Sequence, residues 1–171
     1  TFESTVSYLF GANAQPFWTV LADLDSNGHL DLIVVDNNLG ILILLGQGDG
    51  TFRRHGNYST GSGAIPYQLV VVDVDQDNRD DLVVTNTGSS EVYILFGNGD
   101  GTFNSATAYT TGTDSRPYGL AVADFDNDTQ LEIVVTLFGM GGIGVLTNYY
   151  AAAFAQQLFY ETGSAPHPTS V

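Results

Sequence analysis

Three short acidic stretches hold the residues of this chain that could do chemistry. Their sequences are DLDSNGHLD, DVDQDNRDD and DFDNDTQLE, at residues 23–31, 73–81 and 124–132, and we call them loop 1, loop 2 and loop 3. They contain twelve of the nineteen acidic residues. Carboxylates packed this closely repel one another, and a bound divalent cation relieves the repulsion. The stretches therefore predict cation sites.

Calcium is the cation that best suits this pattern, because it binds roughly six to eight oxygen ligands and accepts them from a tight loop. We expect side-chain ligands at loop positions 1, 3, 5 and 9 and a backbone carbonyl ligand at position 7. The predicted ligands are Asp23, Asp25, Asn27, His29 and Asp31 in loop 1, Asp73, Asp75, Asp77, Arg79 and Asp81 in loop 2, and Asp124, Asp126, Asp128, Gln130 and Glu132 in loop 3. We expect up to three Ca²⁺ ions per chain, with a structural role.

An EF-hand is excluded by the twelfth residue of each loop. An EF-hand places a bidentate Glu there, whereas this chain has Val34, Val84 and Val135 inside apolar runs. The remaining alternative is three plain surface turns, since Asp, Asn and Gly are common turn residues.

The sixth position of the loops predicts a sharp turn with positive φ. Gly28 and Asn78 suit such a turn, and the β-branched Thr129 does not. Loop 3 also ends in the longer Glu132. Loop 3 is thus the least favourable of the three predicted sites.

The loops belong to an internal repeat, because they start 50 and 51 residues apart. Other positions keep the same register, and a period near 50 is typical of repeat architectures. The registers are Phe2, Phe52, Phe103 and Phe154; Tyr8, Tyr58, Tyr109 and Tyr160; Gly11, Gly61, Gly112 and Gly163; and Pro16, Pro66, Pro117 and Pro168.

Each repeat contains four short apolar segments separated by turn residues. In the second repeat we predict strands at 67–74, 81–86, 91–97 and 102–111, with the glycine-rich turn GNGDG before the last. The register also makes 149–159 a strand, although its alanines suit a helix. The first strands are apolar almost throughout, which predicts that both of their faces are covered.

Four strands in about 50 residues, repeated, predict an all-β fold of β-propeller blades, each with four antiparallel strands. The alternative is a β-sandwich. We predict the outer strand of a preceding or partner blade at 1–10, blades at 11–60, 61–111 and 112–162, and the start of a fourth repeat at 163–171. Three blades do not close a ring, so we expect a piece of a longer propeller or a homodimer or other homo-oligomer joined through edge strands.

The combined motifs resemble a known family. The loop pattern D-x-D-x-[DN]-x-x-x-[DE], LFG at 95–97, GDGTF at 99–103 and GAIP at 63–66 are similar to FG-GAP (VCBS-type) repeats, found in integrin α chains and in some propeller lectins. The resemblance implies one Ca²⁺ in the first hairpin loop of each blade. It also implies an extracellular or cell-surface module for adhesion or for ligand or protein binding, with a glycan-binding lectin as the alternative.

The composition of the chain argues against some classes of binding partner. The formal charge is −15, with four arginines and no lysine, which argues against nucleic acid and anionic membrane surfaces. No apolar run is long enough to span a membrane. We therefore expect a protein or glycan ligand and no membrane insertion.

The sequence does not predict an enzyme. It has no cysteine and no G-x-S-x-G motif, and His29, His55 and His167 occupy unrelated repeat positions. We expect all three histidines at the surface. Acidic pairs present three times suit cation sites better than a catalytic dyad.

Aromatic residues bear on the lectin alternative. The only tryptophan, Trp18, is not repeated, whereas Phe17, Tyr67 and Tyr118 are. The repeated residues suit either a sugar-stacking surface or packing between blades.

Overall fold

The structure is a computed structural model that describes residues 6–150 and 153–161. It contains twelve β-strands and no helix in that part of the chain, so no described helix could cross a membrane. The strands are β1 Pro16–Ala22, β2 Asp31–Asp36, β3 Gly40–Gly46, β4 Phe52–Tyr58, β5 Pro66–Val72, β6 Asp81–Asn86, β7 Glu91–Leu95, β8 Thr107–Thr110, β9 Pro117–Ala123, β10 Glu132–Leu137, β11 Gly142–Tyr150 and β12 Ala153–Glu161.

The strands form three antiparallel sheets of four, and within each sheet the spatial order follows the chain order: β1–β4, β5–β8 and β9–β12. The first strands of successive sheets lie beside each other, β1 next to β5 and β5 next to β9. This is the arrangement of consecutive propeller blades, so the predicted all-β propeller architecture is confirmed.

The hydrophobic core lies between the sheets. One cluster joins the first and second sheets and includes Ile33, Ile43 and Leu82, all fully buried. A second joins the second and third sheets and includes Ile94 and Ile133. Each such side chain contributes about 1.5–3 kcal/mol when buried. Packing between blades therefore holds the second and third strands, which position the acidic loops.

The first strands are less covered than predicted. Phe17 and Trp18 on β1 are each 41% exposed and Leu21 is 54% exposed, whereas every residue of β3 is buried. A first strand is the edge strand of its sheet, so one flank lacks a neighbour within the blade. The strands covered on both faces are the second and third.

The strand bounds agree with the sequence in part. β6 spans the predicted 81–86. The fourth strand of the second sheet is shorter than predicted, because Phe103 makes only an isolated bridge to Gly97 before the pairing resumes at Thr107. Residues 149–150 and 153–159 are strand and not helix, but they divide between β11 and β12.

Residues 6–10 are not in a strand in this structure, and residues 1–5 lie outside the described part; the outer strand that we predict at 1–10 would belong to a preceding or partner blade and stays a prediction. Tyr8 and Phe10 instead pack on the open face of the first sheet, and the guanidinium of Arg54 lies 5.1 Å from the Phe10 ring centroid. The fourth repeat predicted at 163–171 also lies outside the described residues, and the blade boundaries stay predictions.

The repeated Tyr and Phe registers have a common structural cause. The Tyr8 hydroxyl accepts the backbone N–H of Phe52 at 2.9 Å, and the Tyr58 hydroxyl accepts that of Phe103 at 3.0 Å. In both pairs the rings meet edge to face, with centroids 5.9 and 5.5 Å apart. Each tyrosine thus joins its repeat to the next one.

Candidate metal centres

Each acidic loop connects the first and second strands of one sheet: loop 1 joins β1 to β2, loop 2 joins β5 to β6, and loop 3 joins β9 to β10. In each loop three acidic side chains bring carboxylate oxygens within 4.8 Å of one another, and they stand at positions 1, 3 and 9. The three clusters are Asp23, Asp25 and Asp31; Asp73, Asp75 and Asp81; and Asp124, Asp126 and Glu132. Each repeat therefore has one cluster that could hold a metal ion.

The three loops share one backbone conformation, with two residues in the left-handed region. Position 6 has φ of 84° at Gly28, 66° at Asn78 and 75° at Thr129. The positive φ predicted for position 6 is thus present in all three loops, including loop 3, where Thr is poorly suited to it. Position 4 is also left-handed, a feature that was not predicted from the sequence: φ is 56° at Ser26, 62° at Gln76 and 63° at Asn127.

Backbone N–H groups turn towards the carboxylates at positions 1 and 3. In loop 2 the Asp73 carboxylate accepts the N–H groups of Asp77 at 3.0 Å and of Asn78 at 2.9 Å. The Asp75 carboxylate also accepts the N–H of Asp77, at 3.2 Å. Loops 1 and 3 repeat this pattern. Each carboxylate oxygen has two lone pairs, so one accepted N–H leaves capacity for a cation.

Position 5 has a local role in the structure. Oδ1 of Asp77 accepts the backbone N–H of Arg79 at 2.9 Å, and Asn27 and Asp128 make the same bond to their second neighbours. Asp77 and Asp128 lie outside the close carboxylate clusters. Their part as ligands, and that of the position 7 carbonyls, stay predictions.

The carboxylate at position 9 is a structural joint as well as a candidate ligand. Asp81 is 1% exposed; its Oδ2 accepts the N–H of Val74 at 2.9 Å and its Oδ1 accepts the N–H of Gly97 at 2.8 Å. Asp31 makes the equivalent bonds to Leu24 and Gly46, both at 2.8 Å. Position 9 therefore ties each of these loops to the end of the third strand.

In the first two sheets, the backbone after the third strand passes so close to the end of the acidic loop that only glycine fits there, at the contact that we call the position 9 joint. A Cβ on Gly97 would lie 2.1 Å from the carbonyl oxygen of Asp80, and one on Gly46 would lie 2.2 Å from that of Leu30. The glycines that follow the third strand in the motifs LLG and LFG were visible in the sequence and could have indicated this joint. In strand register the third repeat has Asn148 at this position.

Loop 3 differs at position 9. Its Glu132 accepts one backbone N–H, whereas Asp31 and Asp81 each accept two. Oε2 of Glu132 accepts the N–H of Phe125 at 3.2 Å, while Oε1 is buried and has no hydrogen-bond partner in the described part of the chain. A buried carboxylate oxygen without a partner is costly. A cation in loop 3 would satisfy it.

Burial is the main cause of the raised pKa values of the carboxyl groups in these loops. It raises the pKa of Asp81 from 3.8 to about 6, against the lowering effect of the N–H bonds from Gly97 and Val74. Burial is also the largest cause of the raised pKa of Asp75 and of Glu132, with neighbouring carboxylates adding to it. Without a cation the loops thus contain carboxylates that are costly to ionise.

The donor chemistry fits a hard cation. The clusters offer only oxygen atoms, whereas zinc sites are built mainly from Cys and His. Val34, Val84 and Val135 at position 12 are buried in strands, as the exclusion of an EF-hand required. Of the histidines, His29 and His55 are exposed and His167 lies outside the described residues.

Comparison with known proteins identifies the family. The FG-GAP-like repeat matches residues 23–84 and 73–135, two overlapping units that each begin at one acidic loop and end beyond the next. The chain belongs to the FG-GAP-like repeat family. Its three acidic clusters stand where the resemblance placed the calcium loops of this family.

This FG-GAP-like chain was also compared with solved structures and with proteins of curated function. A crystal structure of BBS1N in complex with ARL6DN, soaked with lead, is similar with a TM-score of 0.47 and 15% identity, over 84% of this chain and 54% of that one. The chain thus spans about half the length of that structure. No protein of curated function matches the chain.

Proposed function

We propose that the chain is a calcium-stabilised propeller module that binds a protein or other ligand outside the cell. One observation carries the calcium part of this proposal. The same loop of all three sheets brings three carboxylates within 4.8 Å of one another. A surface turn needs no such convergence, and three copies in one structural position favour a common ligand.

Calcium suits the loops better than magnesium. Calcium tolerates varied oxygen geometries, whereas magnesium needs near-ideal octahedral coordination and keeps several waters. The residues at positions 1, 3 and 9 would hold the ion, with position 5 and the position 7 carbonyl as further ligands. The ion would neutralise the clustered carboxylates, and position 9 would transmit this stabilisation to the third strand.

Thermal unfolding tests the calcium proposal. At a concentration 100-fold above Kd, one site present only in the native state adds about 2.7 kcal/mol. For a chain of this size that corresponds to a rise in Tm of about 5–10 °C. We expect a higher Tm in millimolar CaCl₂ than in EDTA, and a smaller rise in MgCl₂. The control is the variant Asp23→Asn, Asp73→Asn, Asp124→Asn, which should not respond; equal wild-type values in CaCl₂ and EDTA would defeat the proposal.

An exposed aromatic row supports a ligand-binding surface. Phe17, Tyr67 and Tyr118 stand at equivalent points of β1, β5 and β9, with ring centroids 5.0 and 4.4 Å apart. Phe17 is 41% and Tyr67 36% exposed, so the rings pack on one another and still face solvent. Such a surface suits a protein ligand and also favours the second candidate function, a lectin that stacks sugars.

A glycan array separates these two candidates. The lectin candidate expects binding of at least one glycan, lost in Tyr67→Ala and retained in Tyr160→Ala, which removes another exposed tyrosine. An empty array would favour a protein ligand. For either ligand we propose an extracellular or cell-surface location, which the resemblance to FG-GAP repeats implies.

We propose no enzymatic activity. The acidic residues that could act as a catalytic pair occur three times in loops that suit a cation, and the described histidines, His29 and His55, are exposed.

A further inference from the structure

Loop 2 and loop 3 are directly connected by one side chain. The side-chain amide Nε2 of Gln76 donates a hydrogen bond to the backbone carbonyl of Thr129, 53 residues away in the sequence. Gln76 is position 4 of loop 2, and Thr129 is position 6 of loop 3. The bond therefore runs from one candidate metal centre to the next.

In the described part of the chain this hydrogen bond is not repeated between the other loops, because the residue at position 4 differs from loop to loop. Position 4 is Ser26 in loop 1 and Asn127 in loop 3. The side chain of Ser26 is too short to reach as Gln76 does, and it makes no hydrogen bond to loop 2 in the described residues. Loops 1 and 2 influence each other through charge, since Asp73 and Asp23 both raise the pKa of Asp80 after the larger effect of burial. Among the described residues, a side-chain bridge of this kind therefore joins loops 2 and 3 but not loops 1 and 2.

Both ends of the bridge lie on backbone that the cations would order. Gln76 is left-handed and stands between Asp75 and Asp77, so an ion held by loop 2 fixes its position. Thr129 is left-handed as well, with φ of 75°, and its N–H donates to Asp124 at 3.0 Å. That conformation is unfavourable for Thr, so an external hydrogen bond to its carbonyl helps to keep loop 3 formed.

We propose that Gln76 couples the two centres, so that filling loop 2 strengthens cation binding in loop 3. This inference rests on the proposed function, that the loops bind calcium. The energetic source is ordering: an ion in loop 2 fixes the donor, and loop 3 then loses less freedom when it binds its own ion. By thermodynamic reciprocity, filling loop 3 strengthens binding in loop 2 by the same factor.

Charge acts against this coupling, because an ion in loop 2 reduces the negative potential at loop 3. Substituting Gln76 by a residue of similar length without a donor leaves that charge effect in place. Gln76→Met meets this requirement. A difference between the wild type and Gln76→Met therefore isolates the bridge.

Calcium titration followed by NMR resolves the loops individually. The backbone amides of Gly28, Asn78 and Thr129 each donate to the position 1 carboxylate of their own loop, so each amide signal reports one centre. In Gln76→Met we expect the Thr129 midpoint to move to a calcium concentration about two- to tenfold higher, the range of one ordinary hydrogen bond. The Gly28 midpoint should not move. Ser26→Ala, at the equivalent position of loop 1, should leave the Thr129 midpoint unchanged.

A double-mutant cycle tests the coupling itself. Asp73→Asn disables loop 2, and it should change loop 3 affinity differently in the wild-type and Gln76→Met backgrounds, with the larger loss where Gln76 is present. If all three amides titrate and the Thr129 midpoint is the same with and without Gln76→Met, the coupling is disproved while the calcium proposal stands. If no amide responds to millimolar calcium, both proposals fail.

Discussion

The N–H of Gly97 donates to Oδ1 of Asp81 at 2.8 Å, which joins the end of an acidic loop to the end of the third strand of the same blade. Asp81 is also in the carboxylate cluster of loop 2. A cation bound there would act on a residue that already holds the sheet together. Metal binding and blade stability should therefore change together.

The first prediction concerns the close approach at this joint. Gly97→Ala places a Cβ 2.1 Å from the Asp80 carbonyl oxygen, and the backbone must shift, so we expect a loss of about 1–3 kcal/mol in unfolding free energy. The control Gly144→Ala, in the third blade, meets only side-chain atoms, the nearest at 3.2 Å, and should cost less. Urea unfolding measures both, and equal stability of Gly97→Ala and wild type would contradict the geometry.

The second prediction concerns pH in the absence of metal. The pKa of Asp81 is raised from 3.8 to about 6 by burial, so the native state holds its proton more tightly than the unfolded state. Stability from this residue is present below pH about 4 and is lost as pH rises to about 6. In EDTA, wild type should therefore lose stability relative to Asp81→Asn across that range. A difference in unfolding free energy that is constant from pH 4 to 7 would refute this.

Much of the candidate site could be predicted from sequence because its chemistry is local. Carboxylate repulsion and the repeat indicated Asp23, Asp73 and Asp124 at position 1, and Gly28 and Asn78 indicated the turn. The contact at position 9 was harder to predict. Its partner is a backbone N–H 15 or 16 residues away, and its only signal in the sequence is the glycine after the third strand, Gly46 or Gly97, which permits the close approach.

The fold could likewise be predicted from the sequence only in part. The registers of Tyr8, Tyr58, Phe52 and Phe103 predicted repeats, and the structure gives their cause in rings and hydroxyls that link successive repeats. Exposure of the first strands could not be predicted, because an apolar strand such as β1 does not reveal how many of its faces have neighbours.

The third prediction concerns the turn of loop 3. Thr129 has φ of 75°, which is unfavourable for a β-branched residue. Thr129→Gly should stabilise the metal-free protein by about 1 kcal/mol in urea unfolding. Asn78→Gly, at the same position of loop 2, should change stability less because Asn tolerates this conformation. A destabilised Thr129→Gly would show that the threonine side chain contributes more than its backbone costs.

The fourth prediction concerns Glu132, whose effect should reverse with calcium. Burial raises its pKa, and its Oε1 lacks a partner among the described residues, so the ionised side chain destabilises the metal-free protein at pH 7. Glu132→Gln should raise Tm in EDTA and lower it, relative to wild type, in millimolar calcium. The control Glu161→Gln changes an exposed carboxylate and should show no reversal. The same sign in both buffers would exclude Glu132 as a ligand.

The most direct test of the account is the number of calcium ions per chain, counted by native mass spectrometry at saturating calcium. Three equivalent carboxylate clusters predict three ions on the wild type. Asp75→Ala removes position 3 of loop 2 and should leave two, with the ions of loops 1 and 3 retained. A wild type that binds no calcium, or an Asp75→Ala variant that binds as many ions as the wild type, would contradict the claim that each acidic loop is a calcium site.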